Sequence, residues 1–260
     1  MADKKADGIG ETIKTIVYAL LIAGVIRTLF FQPFWIPSGS MKSTLLVGDF
    51  MFVNKMAYGY SKHSCPFSMC PFPGRILASE PERGDIVVFK HPVSKVDYIK
   101  RLIGLPGDRI QMKAGQVYIN DVAAPLELIG TFTELKELQG PMRGTPRCSN
   151  SPVALNGGTC EKELYKETLP NGVEHAVLNI GEDFADETGM YTVPSEHYFF
   201  MGDNRDNSQD SRYPRSVGGV GYVPFENLVG RADRVVFSSA GKSMLAFWTW
   251  RSDRFFKGLE

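Results

Sequence analysis

Two very different parts of this chain meet at Ile36-Pro37-Ser38-Gly39-Ser40-Met41-Lys42-Ser43-Thr44-Leu45-Leu46. An apolar, aromatic segment precedes this stretch, and a β-like run, Asp49–Lys55, follows it. Pro37 restricts its own φ and biases Ile36 to extended geometry, while Gly39 allows a turn that other residues adopt poorly. A serine on such a turn is a candidate nucleophile, although it needs an activating base. A polar linker between an anchor and a domain fits the stretch equally well.

Length and composition limit the class of protein. The 260 residues suffice for one large or two small domains with a real core. The 29 basic and 29 acidic residues balance, so nothing indicates nucleic acid or an acidic partner. The 26 glycines and 16 prolines favour a turn-rich, β-containing domain over a helical bundle.

Short β-like runs recur behind the opening stretch and are separated by turn signals such as Leu105-Pro106-Gly107-Asp108. Residues 121–190 are less regular, and we interpret them as an inserted lobe. We predict a mainly β fold in which an N-terminal transmembrane helix leads into a β-fold catalytic domain, residues 36–260. The expected strands are Asp49–Lys55, Asp85–Lys90, Tyr98–Gly104, Arg109–Lys113, Gln116–Asn120, Tyr198–Met201, Gly219–Val223 and Asn227–Phe237.

The N-terminal part has the composition of a membrane anchor. Thr15 to Phe31 would span about 25 Å as a helix, just enough for a bilayer core. We therefore predict a cytoplasmic N-terminus over residues 1–11, where the basic residues Lys4 and Lys5 lie, and an anchor with an aromatic interface segment over 12–35. Ser40 follows Trp35 by five residues, so it would lie within about 17 Å of the membrane interface.

A cleavable signal peptide is the alternative for the same segment. Its apolar region would be residues 15–26, and Ser38-Gly39-Ser40 has the small-x-small form of a cleavage site. The aromatic run over 28–36 is a poor approach to such a site, which favours the anchor.

The cysteines fall into two local pairs, Cys65 with Cys70 and Cys148 with Cys160. Their spacing does not match a zinc finger. Two short-range disulfides would suit an oxidising compartment, and four unrelated thiols are the alternative. The tail, Met244–Phe256, is aromatic and basic, and either packs on the core or rests in the membrane interface.

The base that would activate Ser40 is sought first among histidines. His63, His91, His175 and His197 lie in stretches that suggest only surface or strand-end roles. Lysine is the other route, and Lys100 lies in the apolar strand Tyr98–Gly104, where burial would lower its pKa. A solvent-facing lysine on an amphipathic strand is the plain alternative, and Lys90 is a weaker candidate.

A polar stretch, residues 202–212, follows Tyr198–Met201 and predicts a hydrogen-bonded loop at a strand end. Calcium is the obvious ligand to consider. The stretch lacks the glycine at the sixth position and the bidentate glutamate of a calcium loop. We therefore predict no metal and no cofactor.

Four motifs in one order resemble the type I signal peptidases, membrane-anchored Ser/Lys proteases that remove signal peptides from exported proteins. They are Pro37-Ser38-Gly39-Ser40-Met41, Arg83-Gly84-Asp85-Ile86-Val87-Val88-Phe89, Tyr98-Ile99-Lys100-Arg101 running to Gly104-Leu105-Pro106-Gly107-Asp108, and Gly202-Asp203-Asn204-Arg205-Asp206-Asn207-Ser208-Gln209-Asp210-Ser211-Arg212. Pro214-Arg215 stands where the family has Trp-Gly, and segments 61–75 and 145–160 match no motif of the family.

The resemblance implies roles for particular residues. Ser40 would be the nucleophile and Lys100 the general base, and the Ser38 hydroxyl with the Ser40 N–H would form the oxyanion hole. The remaining implied residues support the site: Ser208 orients the lysine, Asp210 and Arg212 brace the site, and Arg101, Asp203 and Asn204 assist.

The resemblance also implies a location and a substrate. The protein would be a single-pass protein of the bacterial inner membrane with its catalytic domain on the outer, periplasmic face. It would cleave signal peptides of secreted preproteins after Ala-x-Ala, with membrane lipid and signal peptides as partners and no nucleic acid; the oligomeric state stays open. A specialised peptidase for one dedicated exported substrate is the alternative, followed by a non-catalytic membrane-anchored β-domain that binds exported chains.

Overall fold

The computed structural model describes residues 8–65, 68–241 and 246–259. One long helix, α1 (Ile9–Leu29), begins the described chain, and its stretch Gly10–Leu29 is long and apolar enough to cross a membrane. The predicted cytoplasmic segment therefore lies largely outside the described residues, since residues 1–7 are not among them. None of this stretch is buried inside the protein. A helix with an apolar surface all round and no protein packed on it needs an apolar environment.

Sixteen strands follow within the described ranges. In chain order they are β1 (Phe31–Trp35), β2 (Asp49–Asn54), β3 (Tyr60–Ser61), β4 (Arg75–Ile76), β5 (Ile86–Lys90), β6 (Asp97–Gly104), β7 (Arg109–Lys113), β8 (Gln116–Ile119), β9 (Val122–Ala123), β10 (Leu126–Leu135), β11 (Thr159–Thr168), β12 (Glu174–Asn179), β13 (Tyr191–Thr192), β14 (His197–Met201), β15 (Val223–Pro224) and β16 (Leu228–Ser238). Short 3₁₀ turns lie at Lys62–Ser64, Phe184–Asp186, Arg205–Asn207, Arg215–Val217, Phe225–Asn227, Phe247–Thr249 and Ser252–Arg254. The fold class predicted from the sequence is confirmed: the protein is mainly β behind an N-terminal apolar helix.

The main sheet has seven strands in the order β1-β2-β16-β5-β6-β14-β15, with neighbouring strands antiparallel. β5 is buried along almost its whole length because apolar clusters pack on both of its faces. One cluster includes Ile36, Met41 and Leu45 of the opening stretch. The main sheet therefore fixes the turn that carries Ser40.

The aromatic run after the helix is not a helical extension. β1 pairs with β2 from Phe31↔Asn54 to Trp35↔Phe50, which makes it an edge strand of the main sheet. The helix is joined to the sheet by one residue, Phe30, whose carbonyl accepts a 2.9 Å hydrogen bond from the Lys55 N–H. The transition from helix to strand is thus abrupt and lies within the 12–35 segment.

Residues 121–190 contain more regular structure than the sequence suggested. Within this range β10, β11 and β12 form a three-stranded antiparallel sheet, and β9 joins β8, β7 and β13 in a four-stranded one. The sequence did not single out β10, because most of it is exposed and no alternation of apolar residues marks it. The prediction at Gly219–Val223 was wrong for most of its length, since only Val223 lies in a strand.

Both cysteine pairs form disulfides, with Cα–Cα distances of 5.1 Å for Cys65–Cys70 and 5.0 Å for Cys148–Cys160. The second disulfide joins β11 to the loop before it. Both distances are typical of disulfides. The structure thus favours disulfides over free thiols.

The sequence left two positions open for the aromatic tail, packed on the core or resting in the membrane interface. Trp250 packs on Phe237 with ring centroids 5.3 Å apart. Phe247 and Trp248 remain 69% and 76% exposed. Part of the tail therefore packs on the domain and part presents rings to its surroundings; Met244 lies outside the described residues.

Candidate active site

Ser40 lies on the turn between β1 and β2, and its own surface is 9% exposed. The turn is closed at its base by two hydrogen bonds, from the Ile36 N–H to the Asp49 carbonyl at 2.9 Å and from the Gly48 N–H to the Ile36 carbonyl at 3.0 Å. Ile36 and Met41 anchor the turn in the core. Ser40 is therefore held on a fixed turn, not on a linker.

Lys100 is presented by β6, the strand between β5 and β14. Its side chain is buried, and its Nζ lies 2.5 Å from Ser40 Oγ, to which it donates a hydrogen bond. Tyr98, two residues earlier on the same strand, places its ring 5.8 Å from the same Nζ. The alternative of a solvent-facing lysine is wrong, and the strand pattern did place Lys100 correctly in β6.

Burial lowers the pKa of Lys100 to about 8, while the carboxylates of Asp210 and Asp203 work to raise it and Arg212 adds to the lowering. A lysine with this pKa is roughly one-tenth neutral at pH 7. Once neutral, the amine accepts the Ser40 proton instead of donating its own. Lys100 can therefore act near neutral pH as a general base that takes the Ser40 proton while the oxygen attacks a carbonyl carbon.

Asp203 forms a bidentate ion pair with Arg101, not with Lys100. Arg101 Nε and Nη2 each donate to one oxygen of Asp203 at 2.9 Å, and Arg101 Nη1 donates to the Gly84 carbonyl at 2.8 Å. The Thr44 hydroxyl also donates to Asp203, at 2.5 Å. Burial opposes ionisation of Asp203, but Arg101 outweighs it and lowers the pKa of that carboxyl. Arg101 and Asp203 thus tie β6 to the polar loop beside the Ser40 turn.

Asp210 and Arg212 form a second buried pair. Arg212 Nε and Nη2 donate to the two oxygens of Asp210 at 2.9 and 3.0 Å, and the Gly202 N–H donates to the same carboxylate at 3.0 Å. The Arg212 Nη2 also donates to the Arg205 carbonyl at 2.6 Å. Burial again opposes ionisation, and Arg212 lowers the pKa of Asp210 despite it. The pair braces the start and the end of the loop against each other.

Asn204 donates hydrogen bonds to two successive carbonyls of the Ser40 turn. Its Nδ2 donates to the Gly39 carbonyl at 2.9 Å, and its backbone N–H donates to the Ser40 carbonyl at 3.1 Å. Each of these bonds constrains the peptide next to the candidate nucleophile. The supporting role expected of Asn204 therefore has a geometric basis in the position of Ser40.

Ser208 lies in the same buried region, and Gly202 shows how close it is to Ser40. A Cβ atom on Gly202 would stand 2.5 Å from the Ser208 Cβ and 2.5 Å from the Ser40 carbonyl oxygen. The Ser208 hydroxyl is buried without a hydrogen-bond partner among the described residues, and Lys100 donates to Ser40 instead. The orienting role of Ser208 therefore stays a prediction. Gly202 is a close-approach glycine that reasoning from the sequence passed over, although it stands in the quoted motif.

Ser38 lies two residues before Ser40 on the exposed side of the turn. In the described part of the chain, neither its hydroxyl nor the Ser40 N–H takes part in a hydrogen bond. Both donors are therefore available to an oxyanion, but the structure shows no contact that joins them. The oxyanion-hole assignment stays a prediction.

The histidines do not reach Ser40 through any contact among the described residues. His175 lies near the start of β12 but is buried beside Glu167, with His175 Nε2 3.3 Å from its carboxylate, so a surface position is wrong for this residue and a strand-end position is correct. His91 is also buried and accepts from the Val93 and Ser94 N–H groups. His175 Nε2 also lies 4.0 Å from Asp203, and no contact within the described ranges joins either histidine to Ser40 itself.

The carboxylates of the polar loop are each engaged by protein groups. Asp206 accepts from the N–H groups of Ile180 and Gly181 at 2.6 and 3.2 Å, while Asp203 and Asp210 pair with arginines. Across the described ranges, no group of three or more potential ligand side chains is placed to hold a metal ion.

A second lysine beside Ser40 was not recognised from the sequence. Lys42 is buried, its side chain passes Gly39, and its ammonium donates to Gln139 at 2.7 Å and pairs with Glu134 of β10. Lys162 of β11 pairs with the same carboxylate. These contacts join β10 and β11 to the Ser40 turn. Nothing in the sequence pattern indicated them, because the partners lie about 90 residues or more from Lys42.

A serine and a lysine in contact on a mainly β domain form an arrangement that serine hydrolases use. Residues 9–237 match the family described as signal peptidase, peptidase S26. The signal peptidase I of Rickettsia typhi is 41% identical over 239 residues, covering 88% of this chain and 80% of the relative. That of Rickettsia canadensis is 41% identical over 236 residues, covering 87% and 79%. A solved signal peptidase I from Enterococcus faecalis V583 is 25% identical and covers 59% of this chain and 97% of its own, with a TM-score of 0.30, too low to support an argument.

The chain belongs to the signal peptidase family, peptidase S26. It is therefore a peptidase of signal-peptide processing, and the resemblance noted from four motifs is confirmed. The comparisons do not assign roles to individual residues, so those assignments depend on the geometry.

Proposed function

We propose that this protein is a membrane-anchored serine endopeptidase that cleaves signal peptides from exported preproteins after a small-x-small motif such as Ala-x-Ala. Ser40 is the nucleophile and Lys100 the general base. The observation that carries the proposal is the 2.5 Å separation of Lys100 Nζ and Ser40 Oγ, with both residues buried and no carboxylate in contact with the lysine in the described part of the chain.

The reaction begins when neutral Lys100 takes the Ser40 proton and the oxygen attacks the scissile carbonyl carbon. The Ser40 N–H and the Ser38 hydroxyl then stabilise the oxyanion, and one such donor contributes roughly 3–4 kcal/mol to transition-state stabilisation. The protonated lysine returns its proton to the leaving amine, and water hydrolyses the acyl-enzyme by the reverse sequence of proton transfers. Ser208 orients the lysine, while Asp210, Arg212, Arg101, Asp203 and Asn204 hold the surrounding loop.

The helix α1 serves as the anchor, with the N-terminus in the cytoplasm and the catalytic domain on the outer face of the inner membrane. The chain runs from α1 through one residue into strand β1 of the main sheet, which supports an anchor over a cleavable signal peptide. Cleavage after Ser40 would remove the edge strand β1, the buried Ile36 and Ser40 itself. A processing event that removes a strand of the main sheet and the nucleophile would destroy the site it should release.

The test uses the detergent-solubilised full chain and a preprotein with an Ala-x-Ala site, with the cut mapped by mass spectrometry. Ser40→Ala and Lys100→Met should each abolish cleavage, while Lys113→Met, which changes an exposed lysine of β7, should cleave normally. Near-normal turnover by Lys100→Met would refute the dyad.

Substrate range is tested with a panel of unrelated preproteins. Cleavage of most of them at small-x-small sites supports a general signal peptidase. Cleavage of a single member would instead support a dedicated processing peptidase.

A further inference from the structure

A cavity of about 200 Å³ lies where the helix meets the main sheet. Arg27 of the last helical turn contributes to one wall, and Lys55 and Lys90 contribute from the ends of β2 and β5. Val229 of β16, the strand between β2 and β5, also lines it. The cavity therefore lies between the ends of inner strands of the main sheet and the C-terminal end of α1.

The position of this cavity is fixed relative to the helix. Arg27 lies two residues before the helix ends at Leu29, and the Lys55 N–H bonds the Phe30 carbonyl directly behind that end. The Tyr60 hydroxyl donates to the Leu29 carbonyl at 2.7 Å, which ties the neighbouring segment to the same point. A helix that spans a bilayer places such a point at the level of the lipid headgroups.

The charge of the cavity is unbalanced. Lys55 is 1% exposed, and its ammonium donates one hydrogen bond, to the Ser64 carbonyl at 2.7 Å. In the described part of the chain, neither Lys55 nor Arg27 forms an ion pair, while Lys90 pairs with Asp97 at 2.9 Å. Three cations thus face one carboxylate. A buried ammonium without an anion is unfavourable, and among the described residues Lys55 has one acceptor for its three N–H donors.

The remaining titratable side chain on the cavity wall, His63, does not supply the missing anion. His63 shares a 2.9 Å hydrogen bond with the Ser68 hydroxyl, and burial together with Lys62 and Lys90 lowers its pKa to about 4. His63 is therefore neutral at pH 7. Burial likewise lowers the pKa of Lys55 to about 8, and Arg27 contributes to that lowering, so Lys55 remains mostly charged at pH 7.

These features specify the ligand by its chemistry. An arginine fork and two ammonium groups around a small polar cavity match the oxygens of a phosphate group. Basic pockets beside membrane helices bind phosphate-bearing headgroups by the same contacts. We propose that Arg27, Lys55 and Lys90 form a binding site for a phosphate group, carried either by a lipid headgroup or by a soluble phosphate.

The site is distinct from the peptidase chemistry but close to it. Asp97 lines the cavity and begins β6, and Lys100 follows three residues later on the same strand. Three residues of strand span about 10 Å. A bound lipid phosphate would therefore fix the height of the catalytic lysine above the headgroup plane.

Binding is measured on the full chain in neutral detergent micelles by native mass spectrometry. The probes are phosphatidylglycerol and a diacylglycerol with the same acyl chains but no phosphate. A second arm measures the shift in melting temperature on titration with inorganic phosphate. We expect phosphatidylglycerol adducts, and about tenfold weaker binding in Lys55→Gln and in Arg27→Gln, because each removes a charge-assisted hydrogen bond.

Lys113→Gln is the matched control, since it removes an equal charge from a distant exposed position and should bind like the parent. Arg27 is exposed on the helix, so Arg27→Gln decides the result if Lys55→Gln fails to fold. Adducts with phosphatidylglycerol alone support a lipid source, and a stabilising shift with inorganic phosphate alone supports a soluble one. Equal adducts with both lipids and no phosphate shift would overturn the proposal, as would phosphate binding that neither Lys55→Gln nor Arg27→Gln weakens.

Discussion

Lys42 belongs to the Ser40 turn and Lys100 contacts it from β6, and both lysines are buried, with exposures of 4% and 3%. Their partners differ. Lys42 contacts the Glu134 carboxylate, whereas Lys100 contacts the Ser40 hydroxyl, and the nearby Asp203 and Asp210 each pair with an arginine. Burial lowers the pKa of both lysines, but for Lys42 an adjoining carboxylate opposes it. Lys100 is therefore the better candidate for a base, because its ammonium contacts a hydroxyl and, in the described part of the chain, no carboxylate.

Lys100→Met should have the largest effect on kcat of the variants that test this difference between the two lysines. It removes the base and keeps an apolar chain of similar length in β6, so we expect kcat to fall by at least about 10³-fold while the domain stays folded. Preprotein cleavage measured in single-turnover mode, with circular dichroism for folding, checks this. Lys42→Met is the matched variant at the other buried lysine. If both variants lost activity equally, the two lysines would not differ in the way proposed.

Gly202→Ala disturbs the same site without removing a catalytic group. The added Cβ would stand 2.5 Å from the Ser40 carbonyl oxygen and would also collide with the Ser208 side chain, so the backbone must shift. A displacement of about 1 Å at a reacting group costs on the order of 10² in rate. We expect kcat/KM to fall by that factor. Gly172→Ala, at a position with open space around the glycine but positive φ, serves as a control for backbone strain alone. Equal losses in the two variants would argue against a steric effect at the site.

The pH dependence sharpens the contrast between the lysines. The folded pKa of Lys100 is about 8, below its ordinary value of 10.5, and the reaction needs the neutral form. We therefore expect kcat/KM to rise tenfold per pH unit below about 8 and to level off above it. A profile that keeps rising to pH 10 would contradict burial of the base. Lys42→Met should leave the position of this rise unchanged.

Lys42→Met should have the smallest effect on rate. Glu134 keeps Lys162 as a partner after the change, so we expect a loss of about 1–3 kcal/mol in the free energy of unfolding and less than a tenfold loss in kcat. Urea unfolding followed by tryptophan fluorescence measures the first, and preprotein cleavage the second. Glu134→Gln leaves both lysines without a carboxylate and should therefore destabilise the fold more than Lys42→Met. The reverse order would show that the pair with Lys42 is not the main contact of Glu134.

The parts of the fold that sequence reasoning located are those with a buried face. β5, β6 and β14 are rich in strand-forming apolar residues because clusters pack against them, so the pattern revealed them and placed Lys100 in a strand. β10 is exposed along most of its length, and its residues carry no such pattern. The pairing of Lys42 with Glu134 was equally impossible to see in the sequence, since the two residues are 92 positions apart and meet only through the folding of the chain between them.

The same limit applies within the site. Asp203, Asn204 and Asp210 were found because they stand in one polar motif, but their partners were not. The contact between Asn204 and the Gly39 carbonyl joins positions 165 residues apart. Gly202 was quoted without a role, because the need for its missing side chain becomes visible only when Ser40 and Ser208 are seen on either side of it.

Strand β6 is hydrogen-bonded to β5 over Asp97–Arg101 and to β14 over Arg101–Gly104. Amides in such a position exchange with solvent deuterium only when a large part of the domain opens. Ser40 lies outside the strands, and its backbone N–H forms no hydrogen bond within the described residues. The Ser40 amide therefore exchanges by much smaller fluctuations. The proposed base thus lies in a segment as persistent as the core itself, whereas the amide of the proposed nucleophile is open to solvent although its turn is anchored in that core.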